Sequence, residues 1–283
     1  MASPSNTALS AGSVARAVAP YGLNLVGVAS VAAYDAQVAP ERRLARRLEG
    51  AESVIVVGNG GAAFWEAYRR ACAADSARGE RPDPLDDFTR EVVEAACAPL
   101  TDTQAMRIVF PFGFGAEVSF TRLAVLAGIG GPSLLGVLVH PIYGPWIALR
   151  AAILARGRLA APRPAEGFDP CPTCRDRPCM SACPAGAVEA EGWSLSRCAG
   201  HRGRSDDPCS GRCHARVACV LGPEHRYPDD ALAYHQQRAR EPLLQAGRGE
   251  AVGLAPGSRP ALRYARDACG RNPWKPRNRN SRS

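Results

Sequence analysis

Eight cysteines fall between residues 171 and 219, and thiolates packed this densely are metal ligands. The first four read Cys171-x2-Cys174-x4-Cys179-x3-Cys183, with Pro184 directly behind; the next four are Cys198, Cys209, Cys213 and Cys219. A [4Fe–4S] cube takes four thiolates, so eight suffice for two. In loops of the C-x2-C-x2-C-x3-C-P type, the cysteine ahead of the proline crosses to the other cube. Here the middle gap holds Arg175, Asp176, Arg177 and Pro178, while the turn over 179–184 and the exit over 185–188 keep the pattern. Structural zinc sites usually join two C-x2-C hairpins at a distance, and the C-x3-C-P ending fits iron–sulfur better. The crossed rule gives Cys171, Cys174, Cys179 and Cys219 to one cluster and Cys183, Cys198, Cys209 and Cys213 to the other. The second group is irregular: Val220, not proline, follows Cys219. His201 and His214 lie beside it as alternative ligands or hydrogen-bonding residues. Arg202, Arg204, Arg212 and Arg216 accompany it, and guanidinium groups near an anionic cube stabilise its reduced form.

The rest of the chain must position this region. It has 283 residues, 46% of them hydrophobic, enough for one large domain or two ordinary ones. Glycine and proline are abundant, at 28 and 24, so long irregular stretches are expected. The net charge is +8, much of it from a tail over 271–283 that carries Arg271, Lys275, Arg277, Arg279 and Arg282 and no acid. Such a tail reads as a solubilising, disordered end, or more sharply as a contact for RNA or an acidic partner. No aromatic-rich single-strand-binding pattern accompanies it. The opening residues MASPSNTALSAGSVARAV lack a basic stretch ahead of an apolar run. A reducing cytoplasm is therefore expected, with the clustered cysteines as ligands and not as a disulfide framework. Cys72, Cys97 and Cys269 are expected to be buried or incidental.

Residues 123–149 contain no charged side chain, which by length alone would permit a membrane span. Gly128, Gly130, Gly131, Gly136 and Gly144, with Pro132, Pro141 and Pro145, argue instead for a broken, buried path of the kind that wraps a cofactor. Ahead of it, helices are expected over 8–20, 41–50, 62–76, 86–98 and 118–128, and strands over 24–30, 53–60 and 105–112. The basic stretch ERRLARRLEG closes on Gly50, a helix-ending signal. Residues 146–157 can form a helix, as can 229–245. VVGNGG is no dinucleotide fingerprint, and GIGGPS lacks the phosphate-loop lysine. The mixture predicts an α+β or α/β domain, a linker over 162–168 and then the cysteine module.

These features together resemble the epoxyqueuosine reductase family and its cobalamin-dependent iron–sulfur relatives, of which the chain looks like a divergent, shorter member. The cysteine order, four then one then three, is similar to the family's. LAVLAGIGGPSLLGVLVHPIYGPW (123–146) resembles its cobalamin-side segment through Ala127, Gly128, Gly130, Tyr143, Gly144 and Trp146. Leu25 to Ala29 resembles its opening strand, and the likeness covers most of residues 15–220. A family tryptophan is Gly131 here, and Pro132-Ser133 stands where the family carries lysine-asparagine. The resemblance implies an α+β fold, nitroreductase-like and cobalamin-binding over 1–165, followed by a ferredoxin-like two-[4Fe–4S] module over 166–225. A helical segment over 226–270 and the basic tail would complete the chain.

The resemblance further implies an oxidoreductase with reduced ferredoxin or flavodoxin as donor and two [4Fe–4S] clusters. These would pass electrons to a corrin cobalt and on to a small or nucleoside-type substrate. Gly128, Gly130, His140, Tyr143 and Trp146 are the candidate corrinoid contacts, with His140 an axial ligand or a hydrogen-bonded turn histidine. Asp102 is the candidate proton donor, or a loop acid that caps a helix. The alternative function is a ferredoxin-like electron-transfer or cobalamin-handling protein without substrate chemistry of its own. Nucleic acid is a further candidate partner, and no membrane span is expected.

Overall fold

The computed structural model describes residues 8–100, 106–112, 118–160 and 168–249. Its centre is a four-stranded antiparallel sheet of β1 (Leu25–Ser30), β2 (Ala51–Gly60), β3 (Met106–Val109) and β4 (Ile147–Arg156), in the order β1-β2-β4-β3. An all-antiparallel sheet interleaved with helices makes the fold α+β. The alternation of strand side chains divides the core in two. Ile55, Val57, Ala151 and Ile153 face one cluster, which they share with α1 (Ala11–Val18), α3 (Ala63–Ala74) and α4 (Pro84–Cys97). Val54, Val56, Ala152 and Leu154 face the other, with α2 (Val31–Asp35) and α5 (Phe120–Leu126). Cys72 and Cys97 are fully buried on the first side, and Cys269 lies outside the described residues.

Two expected helices are not formed. Residues 146–157 make β4, a central strand between β2 and β3. Its alanines favour a helix locally, but with both faces buried the tertiary pairing decides. Residues 41–50 make only two single 3-10 turns, Pro40–Arg42 and Leu44–Arg46. The Asp35 carboxylate takes the amides of Leu44 (2.7 Å) and Ala45 (3.1 Å), giving the backbone a partner other than a helix ladder. Gly50 has φ +73, yet it ends a turn and caps no helix.

The cysteine-rich part contains α6 (Pro178–Ser181), the hairpin β5 (Val188–Glu189) and β6 (Gly192–Trp193), α7 (Leu195–Arg202) and α8 (His214–Val217). The long helix α9 (Asp229–Gly247) follows. Its first turns join the larger core, where Ala231, Leu232 and Tyr234 are buried and the Tyr234 ring lies 5.2 Å from that of Trp65.

Among the described residues, one charged side chain is buried in this core. Arg150, on β4, donates from Nε to Asn59 Oδ1 on β2 at 2.8 Å, and its guanidinium lies 4.5 Å from the Phe64 ring centre. Burial pulls its pKa down from the ordinary arginine value. Asn59→Leu leaves this cation without its acceptor, and chemical denaturation is expected to show a loss of about 3 kcal/mol.

Candidate functional site

The eight cysteines divide between two cavities. Cys171, Cys174, Cys179 and Cys219 line one of about 290 Å³, and Cys183, Cys198, Cys209 and Cys213 line another of about 680 Å³. Leu135 walls both. Burial is the first cause that raises the pKa of Cys179, and the neighbouring Cys219, Cys171 and Cys174 raise it further. Cys209 is pushed up to about 11 by burial, then by Cys213 and Asp207. Cys198 is raised by burial and then Cys213. Within each set the thiols oppose one another's ionisation, an opposition that a bound cation reverses. Among the described residues, no three His, Cys, Asp or Glu side chains are grouped to hold a single metal ion.

Local structure explains how the thiols reach these walls. The widened loop ends at Arg177, whose φ of +39 is the one positive value among the described non-glycine residues. Pro178 then starts α6, which carries Cys179 inward. Ser194 caps α7 by accepting from Arg197 N, which fixes Cys198 in the first turn. Backbone amides point at sulfurs in both sets: Leu134 N donates to Cys171 Sγ at 3.4 Å, and Ala187 N to Cys183 Sγ at 3.3 Å.

Around the second cavity the charges are organised by Asp207. Its Oδ1 accepts from Cys209 N at 2.9 Å, and its Oδ2 pairs with Arg202 Nε at 3.2 Å, both side chains being almost wholly buried. Arg202 also donates to the Gln236 carbonyl (2.8 Å), and Arg240 to the Arg202 carbonyl (3.1 Å), tying the loop to α9. Arg216 donates from Nε to the Pro145 carbonyl at 3.1 Å and lies over the rings of Trp146 (4.9 Å) and Tyr227 (5.2 Å). Arg204 forms an exposed pair with Asp206, and Arg212 is exposed. His214 Nε2 meets the Pro208 carbonyl at 3.2 Å, whereas His201 Nε2 has no hydrogen-bond partner.

The residues expected at a corrin face are engaged within the chain. Gly128 (φ +70) follows α5, its amide bonded to the Val125 carbonyl. Gly130 abuts the Val139 carbonyl, which occupies the space a side chain would need. His140 Nδ1 accepts the amides of Ile142 (3.0 Å) and Tyr143 (3.2 Å) within its turn. Burial lowers its pKa, with His225 adding to the effect. The Tyr143 ring covers Gly60, its hydroxyl accepts from Asn24 Nδ2 at 3.1 Å, and the His225 ring lies 4.7 Å away. Trp146 is fully buried between Arg216 and Tyr227. Asp102 lies outside the described residues.

Sequence reasoning missed Asp207, Tyr227 and His235. An acid two residues ahead of a cysteine is a local signal for an amide-capping turn, so Asp207 was findable. Tyr227 and His235 reach the second cavity only through the docking of α9 and carry no local mark.

No family model matches the sequence, and no curated protein does. Solved structures do. An epoxyqueuosine reductase is 16% identical with a TM-score of 0.51, over 91% of this chain and 88% of that one. The fold is shared. The epoxyqueuosine reductase of Bacillus subtilis covers the same shares at 17% identity and a TM-score of 0.50. The C. elegans B12-trafficking protein CblC is 15% identical with a TM-score of 0.50, over 84% of this chain and 96% of that one. The resemblance read from the cysteine order and the glycine-rich segment is therefore present at the level of fold, at the low identity of a divergent relative. Among the described residues no helix is long and apolar enough to cross a membrane.

Two outcomes follow from this geometry. Asp207→Ala strands the buried Arg202 and is expected to cost about 3 kcal/mol in denaturation. His235 is pushed down to about 3 by burial, then by Arg150 and Arg216. The unfolded chain takes up this proton below about pH 6.5 while the folded one does not. Stability is therefore full above that pH and declines as the pH drops, by up to about 1.4 kcal/mol per unit, levelling near pH 3. His140, shifted the same way, adds to the slope, and His235→Phe is expected to flatten it in melts from pH 7 to 5.

Proposed function

We propose that the chain is an iron–sulfur oxidoreductase of the corrinoid-reductase kind, its eight cysteines holding two [4Fe–4S] clusters in crossed sets. The observation that carries this is the partition of eight thiols into two cavities with four thiols each. When bound, such clusters supply reversible one-electron storage, and a corrinoid supplies a cobalt centre that accepts electrons. The chain supplies the rest. The cysteine thiolates fix the clusters, and the amides of Leu134 and Ala187 donate to sulfur and so favour added negative charge. Arg202 and Arg216 place positive charge at the second cavity, and Leu135 lines both cavities. A reduced ferredoxin or flavodoxin is the donor in this reading.

The fold shared with the epoxyqueuosine reductases and with a B12-trafficking protein supports a corrinoid as the acceptor. Gly128, Gly130, His140, Tyr143 and Trp146, which also make contacts within the chain, are the corrinoid contacts that this reading nominates. Asp102 is the proton donor that this reading nominates for a small or nucleoside-type substrate. The second reading, an electron-transfer or cobalamin-handling protein without substrate chemistry, is favoured by the same internal engagement and by the likeness to CblC.

Iron and sulfide assay of anaerobically prepared protein is expected to give about eight of each per chain. Cys219→Ala and Cys183→Ala are each expected to lower iron to about four, and the double variant to remove nearly all of it. Zinc without iron would end the proposal. A shift of the hydroxocobalamin visible spectrum on titration supports the first reading, and its absence at full iron content supports pure electron transfer.

A further inference from the structure

The hairpin of β5 and β6 lies in the chain between Cys183 and Cys198 and turns N–H donors toward both. The Ala187 amide, at its start, donates to Cys183 Sγ at 3.3 Å, and Val188 pairs with Trp193. Ser194 N returns to the Ala187 carbonyl at 2.8 Å, which closes the hairpin directly ahead of α7 and its Cys198.

Trp193 ends the hairpin. It lines the second cavity together with Cys198, yet it is 37% exposed, so it stands at the rim. Its ring rests on bare backbone: a Cβ at Gly136, where φ is +71, would come within 2.9 Å of Cδ2 and Cε3. The Trp193 side chain reaches the Cys198 thiol as a hydrogen-bond donor. The donor of an indole is its Nε1–H. Any flat ring could rest on Gly136, but the bond to sulfur needs a ring N–H.

An N–H aimed at a ligating sulfur stabilises negative charge on it, and a reduced cube carries one electron more than an oxidised one. The bond is therefore stronger in the reduced state and raises the potential. Arg202 and Asp207 also act at this cavity, but they are a buried ion pair whose loss would disturb the fold. Trp193 carries no charge and lies at the surface, so its contribution can be removed alone.

We propose that Trp193 sets the potential of the second cluster through an indole N–H bond to the Cys198 sulfur. The proposal rests on the cluster reading above.

Trp193→Phe keeps a flat ring on Gly136 and removes the N–H. EPR-monitored redox titration of full-length, anaerobically prepared, iron-loaded protein is expected to show two midpoints. In the variant one of them falls by about 59 mV, a tenfold loss in the reduction equilibrium, and the other stays. Added to Cys219→Ala, which keeps the second cluster, the substitution is expected to cause the same fall; added to Cys183→Ala, which keeps the first, none. If the phenylalanine variant does not fold, the native chain still gives a reading. With its tryptophan indoles labelled with nitrogen-15, pulsed EPR is expected to show a nitrogen coupling on the reduced second cluster. An unmoved second midpoint would overturn the proposal, as would a missing nitrogen coupling or an equal fall in both clusters. So would a rise of the second midpoint, the sign expected if the change merely admits water, which favours the more negative state. Iron assay of the same samples separates the two readings: no iron overturns both, and about eight irons with an unmoved midpoint overturns this one alone.

Discussion

Arg216 holds the cysteine-rich part of the chain against the sheet. Its guanidinium bonds the Pro145 carbonyl, one residue before the buried Trp146 and two before β4, and stacks on Trp146 and Tyr227. A planar cation that bonds in its plane while its face lies on aromatic rings uses both properties that distinguish arginine from lysine. The turn at Gly144 fits against the Leu221 carbonyl, and Gly222 fits against Ile142 and Tyr143. Both glycines have positive φ, +53 and +54, so any side chain there meets strain as well as a collision. One guanidinium and two close backbone approaches thus help to fix the relation of the thiol cavities to the α+β core.

The sequence was informative where local chemistry and tertiary use agree. The β-branched run over 53–57 became β2, and the acid-led 86–98 stretch became α4, because their patterns match the faces they bury. It misled where they part. The alanine-rich 146–157 segment reads as a helix, but its small residues suit a central strand that must admit neighbours on both sides. The arginines over 41–47 mimic an amphipathic helix, and only Asp35, distant in sequence, shows why the helix does not form. The glycines over 127–146 read as points of close approach, and the carbonyls of Val139 and Leu221 lie against Gly130 and Gly144.

For the site, cysteine spacing carries most of the information because a thiol needs no context to be recognised. The walls that complete the second cavity come from α9 and the start of β4, well separated along the chain, and nothing local marks Tyr227 or His235 as their members. Asp207 is the intermediate case. Its spacing before Cys209 signals a turn, while its pairing with a buried arginine needs the fold.

The interleaving of the thiol sets has a consequence for the order in which the chain is made. The first cavity takes Cys171, Cys174 and Cys179 early but lacks Cys219 until the last cysteine of the region has been added. The second, begun by Cys183, is complete at Cys213 and so closes first. A growing chain therefore exposes three partnerless thiols throughout the synthesis of the thirty-nine residues that separate Cys179 from Cys219. The sheet strands β1 to β4 all precede that interval, so a folded surface is available for those thiols to wait against.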